Sequence, residues 1–504
     1  MKLKTLRLLT LLLILSLFVV GCGGASPEPA ATEAPAEQEA PAEEEEAPAE
    51  EEASAENENE EVPAEEEASA ENENEEAPAE EEASAENENE EAPAEEETPA
   101  EDENEEAPAE EEASAEDEVA PAEEAAEGTA YKIGFISAVT GPGSGLGVPE
   151  RNTAELIATE LAETGITGPD GVRHEVEIVT LDSESNPDTA ASNASRLITE
   201  DEVDILVAGS LSGNAMAMLP IATESSTPMI AMASAGAIVK NPDTGEVREW
   251  IFKVPHDNGQ VAEALLIYLE AQGITSVCHL YENSGFGQDT LNQVTAVFEE
   301  AGIEIAYSDT FERTDTEFPQ IVSLPGAGCE AVTVGAIPPG ASMLHAAIVD
   351  AMPDMPVIQG SGVCNQQFID LAPDAVEGSV IPCTPLVAGE SLPDSAPQKE
   401  LVLNYLSDYR DATGEETNQF GGIAYDALQW AIIGLSSLDD GLSLAERRAG
   451  IRDAIEGGVQ DWAGTSGTFT ITPDDHLGLD YITAFEWVRI QDGAYVYTTP
   501  EQWK

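Results

Sequence analysis

Positive charge is scarce in this chain of 504 residues: 18 Lys and Arg stand against 102 Asp and Glu, for a formal charge of −84. Such acidity argues against nucleic acid and anionic lipid as partners, because both would be repelled. The scarcity is uneven. Residues 23–130 hold 46 acids and no base, whereas 131–504 hold 56 acids and 15 bases. Long apolar runs are also missing: none after the first twenty residues reaches the roughly 18 residues needed to cross a bilayer. The five histidines, at 174, 256, 279, 345 and 476, lack the spacing of a metal site or a catalytic triad. No cofactor, no metal and no enzymatic activity are therefore expected. His476, within Pro473-Asp474-Asp475-His476, reads as a turn residue.

What is present begins with an address. Lys2, Lys4 and Arg7 precede an apolar stretch over 8–20, the order of a secretory signal. The cleavage zone Val19-Val20-Gly21-Cys22-Gly23 resembles the bacterial lipobox. That resemblance implies removal of 1–21, lipidation of Cys22, and anchoring to the outer face of the cell membrane or its periplasmic side. Each acyl chain contributes about 0.8 kcal/mol per buried CH₂, so multiple acylation holds a protein stably.

Residues 22–130 form a linker. APAEEEASAENENEE at 47–61 returns at 77–91, with VPAEEEASAENENEE between and a drifted copy at 92–106. A solenoid needs an apolar face on each unit. These units offer Ala, Pro and one Val, so nothing offsets the entropy of ordering, and Pro and like charge oppose helix. An extended, solvated tether is expected, reaching about 60 Å as a coil and about 300 Å in polyproline geometry. Calcium or a basic wall component is the weaker hypothesis for its partner.

From Tyr131 the pattern is strand, turn, helix, repeated. Strands are predicted over 132–137, 175–181, 204–207, 228–231, 275–281, 303–308 and 330–335, and helices over 149–164, 186–200, 212–225, 258–271, 287–301 and 340–351. Further helices follow near 397–412, 419–438 and 444–456, then strands near 467–470, 481–489 and 494–498. Such alternation implies parallel sheets covered on both faces. The length exceeds what one core supports, so two lobes are expected. They take 131–253 with about 385–480, and about 254–384 with about 481–504.

Lys132-Ile133-Gly134-Phe135 leading to Thr140-Gly141-Pro142 resembles the opening of type I periplasmic solute-binding proteins of the branched-chain amino-acid (Leu/Ile/Val) kind, here in lipoprotein form. So do Asp182 to Pro187, Ser212-Gly213, Pro228-Met229-Ile230, Phe286-Gly287, Ala424-Tyr425-Asp426-Ala427 and Gly467-Thr468-Phe469, in order and spacing. The resemblance covers 131–504. It implies two Rossmann-like lobes joined by three hinge crossings, and delivery of a small solute to the permease of an ABC importer. A ligand-sensing receptor signalling to a membrane partner is the alternative.

Ligands of open α/β sheets lie outside the carboxyl ends of strands, facing helix N-termini. Ser212 and the Gly213 N–H are placed there, Ser212 serving also as helix N-cap. The resemblance adds Ala233-Ser234-Ala235, where Ser234 stands in for a threonine, and Phe286 as a stacking aromatic. Where amino-acid binders carry a glutamate for the ligand's ammonium, this chain has Ser361. A buried ammonium without an anion is costly, so a carboxylate or amide is expected unless Glu282 supplies the charge. Tyr281 and Asn283 are further candidates, and the loop 143–147, with Leu146, is expected to close over the ligand.

Two other readings fail. Gly141-x-Gly143 has its third glycine displaced and its acid too far on for a dinucleotide loop. Gly209-Ser210-Leu211-Ser212-Gly213 lacks nucleophile-elbow spacing. Cys278, Cys329, Cys364 and Cys383 all fall in the second lobe, and in an exported protein an even number suggests disulfides. Three pairings are open; we favour Cys364–Cys383 with Cys278–Cys329.

Overall fold

A computed structural model describes residues 127–503; the signal, Cys22 and the acidic repeats lie outside the described residues. Among the described residues no helix is long and apolar enough to cross a membrane. Five strands build the first sheet: β1 (Tyr131–Ser137), β2 (Val176–Asp182), β3 (Ile205–Ala208), β4 (Met229–Ala231) and β5 (Ile251–Lys253). All pair in parallel in the order β2-β1-β3-β4-β5. Ile133, sandwiched between Ile178 and Ile205, is fully buried, as is all of β3. Strands covered on both faces read as continuous apolar runs for this reason.

The second sheet repeats the plan. Its strands are β6 (Ser276–Glu282), β7 (Glu304–Phe311), β8 (Ala331–Gly335) and β9 (Val357–Gln359), parallel in the order β9-β8-β6-β7. In each sheet the first strand in sequence lies between the second and the third. That reversal opens a crevice at the strands' carboxyl ends. Val277 and Cys278 point to opposite faces of β6, so two clusters form, one holding Cys278, Leu280 and Val334 and the other Val277, Leu265 and Phe298. A third, antiparallel sheet joins β10 (Val380–Cys383), β11 (Glu486–Gln491) and β12 (Ala494–Tyr497).

Helices cover both sheets: α1 (Ser144–Thr164), α2 (Pro187–Thr199), α3 (Ser212–Glu224), α4 (Asn258–Gln272), α5 (Gly285–Ala301) and α6 (Gly340–Ala351), then α7 (Lys399–Thr413), α8 (Gln419–Ser436) and α9 (Leu444–Gly458). Local chemistry sets their ends. Asn186 caps α2 through its side chain with Pro187 next, and Asp257 with Gln260 forms a capping box on α4, which Gly273 ends in the left-handed region. Disulfides join Cys278 to Cys329 and Cys364 to Cys383, with Cα atoms 5.5 and 5.9 Å apart.

Several expectations are corrected. The stretch expected as a loop over 143–147 instead enters α1 directly after its N-cap Gly143, and Gly147 packs on the Ala138 backbone, where a side chain would have no room. The strand expected over 481–489 begins as a helical turn, Tyr481–Ala484, which Asp480 caps at the Ile482 N–H. Strands β5, β9 and β10 escaped notice, being only three or four residues long. Leu386, Val402, Tyr405 and Tyr409, from a stretch that the sequence assigns to the first lobe, pack into the second lobe's core. Tyr409 and Tyr405 also bond Asn152 and Thr153 of α1.

Candidate ligand-binding cleft

The two crevices face one cavity, lined by residues of both. On the first lobe the chain leaves β3 through Gly209, at φ +88°, where a side chain would meet Ala215 of α3. Ser210, Leu211 and Ser212 are thereby turned into the cavity. Leu211, not Ser212, is the N-cap of α3, and it caps without a side-chain bond. The first-turn N–H groups, from Ser212 to Asn214, have no helical partner and present the positive end of the dipole. The Ser212 hydroxyl oxygen accepts the Ala235 N–H at 3.3 Å. Met232, Ala233 and Ser234, after β4, and Gln419, Phe420 and Ile423, from α8, complete this side with Leu146.

On the second lobe β6 ends at Glu282, whose carboxylate is wholly buried. Arg313 donates to it from Nε at 3.0 Å and from Nη2; Ser284 Oγ donates at 2.6 Å and the Ile337 N–H at 3.1 Å. Glu282 is therefore committed to Arg313 and does not supply a free charge for a ligand ammonium. Such a pair is held by its extra hydrogen bonds, since ion pairing alone barely repays desolvation. Ser284 caps α5 at the Gly287 N–H, which brings Phe286 onto the cavity.

His256, on the crossing after β5, sets its Nε2 2.5 Å from Ser361 Oγ. Burial and the nearby Lys253 ammonium push the ring's pKa down to about 3, so it is neutral at pH 7, and its Nδ1 has no partner. Gln419 Nε2 donates to the Ser361 carbonyl at 2.6 Å, tying a first-lobe helix to the second lobe. A methyl added to Gly285 would lie 3.4 Å from the Gly213 nitrogen. The lobes thus meet across the cleft.

Of the residues singled out in the sequence, Leu146, Ser212, Ala233, Ser234, Glu282, Phe286 and Ser361 line this cavity. Gly213 instead faces an adjoining outer cleft with Asn283, Ser284 and Arg313, and Ala235 spends its N–H on Ser212. Sequence reasoning missed Ser210, His256, Arg313 and Gln419. Only Arg313 carried a signal, as one of few bases in an acidic body. Among the described residues no group of His, Cys, Asp and Glu is arranged to hold a metal ion.

The cleft and its paired sheets have relatives. An extracellular ligand-binding receptor from Rhodopseudomonas palustris HaA2 is 27% identical, with a TM-score of 0.66 over 73% of this chain and 99% of its own. A branched-chain amino acid transporter substrate-binding protein from Streptococcus pneumoniae, solved with isoleucine, is 20% identical, with a TM-score of 0.61 over 73% of this chain and 99% of its own. An ABC transporter solute-binding protein from R. palustris, solved with benzoate, is 19% identical, with a TM-score of 0.59 over 73% of this chain and 95% of its own. The last two likenesses concern the fold alone. A comparison with curated proteins gave no match. The periplasmic binding protein family profile matches residues 130–494, and the chain belongs to that family, in its type I form.

Proposed function

We propose that this protein is an exported, lipid-anchored solute-binding protein that closes its lobes on a small carboxylate with an apolar body and delivers it to an ABC importer. One observation carries the ligand class: Glu282, the acid best placed to hold an ammonium, is bound by Arg313, Ser284 and the Ile337 N–H. Arg313 Nη1 is left unbonded by that pairing, and the N-terminus of α3 opens on the same cavity. Both favour an anionic group. Leu146, Leu211, Phe286, Ile337 and Phe420 offer an apolar wall for the rest of the ligand. Export and anchoring are supported by the signal and by Cys22.

The test is a thermal-shift screen of the whole exported chain against benzoate, short alkanoates, their amides, and leucine and isoleucine. A ligand at a hundred times its Kd adds about 2.7 kcal/mol to the folded state. Stabilisation by carboxylates and not by the amino acids is expected. Tight binding of leucine or isoleucine would overturn the ligand class, and silence across the panel would favour a sensing role with another ligand.

A further inference from the structure

Ser210 lines the cavity at the end of β3, and its hydroxyl oxygen accepts the Ala138 N–H at 2.9 Å. Behind it stands Glu150 of α1, fully buried and outside the cavity lining. Glu150 Oε2 lies within hydrogen-bond distance of Ser210 Oγ, and Oε1 has no partner. The Glu150 carboxyl is thus bonded to no Lys, Arg or His, and an ionised carboxylate so placed is strongly disfavoured. Burial accordingly holds it well above the usual carboxylate range, against the opposing pull of the Ser210 bond.

We infer that Glu150 is a positioning residue: it keeps its proton, donates it to Ser210 Oγ, and so turns the Ser210 hydroxyl into the cavity as a donor to the ligand's carboxylate. The direction follows from the proton on Glu150: with Oε1 unpartnered, Ser210 Oγ is the atom within hydrogen-bond distance that the carboxyl O–H can reach. A serine oxygen has two acceptor sites and one proton. The Ala138 N–H occupies one acceptor site and the Glu150 O–H the other, which leaves the serine proton for the cavity. An ionised Glu150 would reverse the bond, drawing the serine proton away and placing negative charge behind the ligand. A neutral glutamic acid therefore selects for an acceptor on the ligand, and charge does not oppose an anionic one. The inference rests on the carboxylate reading above.

Two measurements on the whole chain test it separately. Infrared spectroscopy at pH 7 without ligand should show a protonated-carboxyl C=O band that loses intensity in Glu150→Gln, beyond what Asp426 contributes. A band unchanged by that substitution would mean that Glu150 is ionised, and the inference would fall. Titration with benzoate should find Glu150→Gln, whose amide also donates to Ser210, within about threefold of the parent. Glu150→Leu and Ser210→Ala should each bind about tenfold more weakly or worse. Parent-like affinity in a folded Glu150→Leu would overturn the inference. If the parent binds no carboxylate at all, the ligand reading fails and the direction of the Ser210 hydroxyl with it, while the band still reports the proton on Glu150.

Discussion

Arg313 Nε lies 3.0 Å from Glu282 Oε2 at the edge of the cavity, with Arg313 15% exposed and Glu282 not at all. The pair joins the loop after β7 to the end of β6, so it braces the second lobe and sets the charge that a ligand meets. Removing the cation strands a buried carboxylate, a loss of about 3 kcal/mol. Arg313→Met should lower the denaturation midpoint accordingly and abolish binding of carboxylates. Unchanged binding by the folded variant would show that Arg313 only braces.

Phe286, with Ser361 and Gly362, lines both the cavity and a second space within the lobe, which Val261, Leu265 and Val294 also bound. Phe286→Ala should join the two and shift preference toward carboxylates with longer or bulkier apolar bodies, at the expense of the smallest. A ranked thermal-shift series of alkanoates of increasing length reads this directly. An unchanged ranking would mean that the inner space stays closed.

Burial holds three histidines below their ordinary value: His256 and His279 at about 3 and His345 at about 4. Each is neutral in the folded protein and gains a proton when unfolded below its ordinary value, so its contribution is present above about pH 6.5 and lost as pH falls toward about 3 for His256 and His279 and about 4 for His345. The slope is at most about 1.4 kcal/mol per pH unit for each ring. Asp426, pushed up to about 7 by burial, works the other way: its folded form keeps a proton that the unfolded chain releases, so stability falls as pH rises from about 4 to 7. His279→Gln removes one of these rings. Denaturant titrations at pH 5 and 7 should find a shallower acid loss in the variant, and an identical loss would mean that the ring is charged.

Cys22→Ser should prevent lipidation and move the protein from the membrane fraction to the soluble one, with loss of radiolabelled palmitate. Membrane retention of the variant would mean that the apolar segment 8–20 stays in place as an anchor.

The pattern of apolar residues settled a good deal without any structure. Runs such as Ile133 to Ile136 and 205–208 are continuous because parallel strands are buried on both faces, and that alone places the sheets and the helices between them. Asn186 with Pro187, and the glycines that end α4 and α5, mark helix limits because capping is local chemistry. The basic and apolar opening segment and the acidic repeats are matters of composition, so they are as legible as they will ever be.

What the ligand meets was decided elsewhere. Glu282 and Arg313 are 31 residues apart, His256 and Ser361 are 105 apart, and Glu150 and Ser210 are 60 apart. No periodicity reports such distances. The pairing depends on which strand ends the two sheets bring to one crevice. The sequence offered Glu282 as a free anion and Ser212 as a cap; the folded chain commits the first to Arg313 and passes the cap to Leu211. Charge in a cavity is a property of neighbours, and only the tertiary structure chooses them.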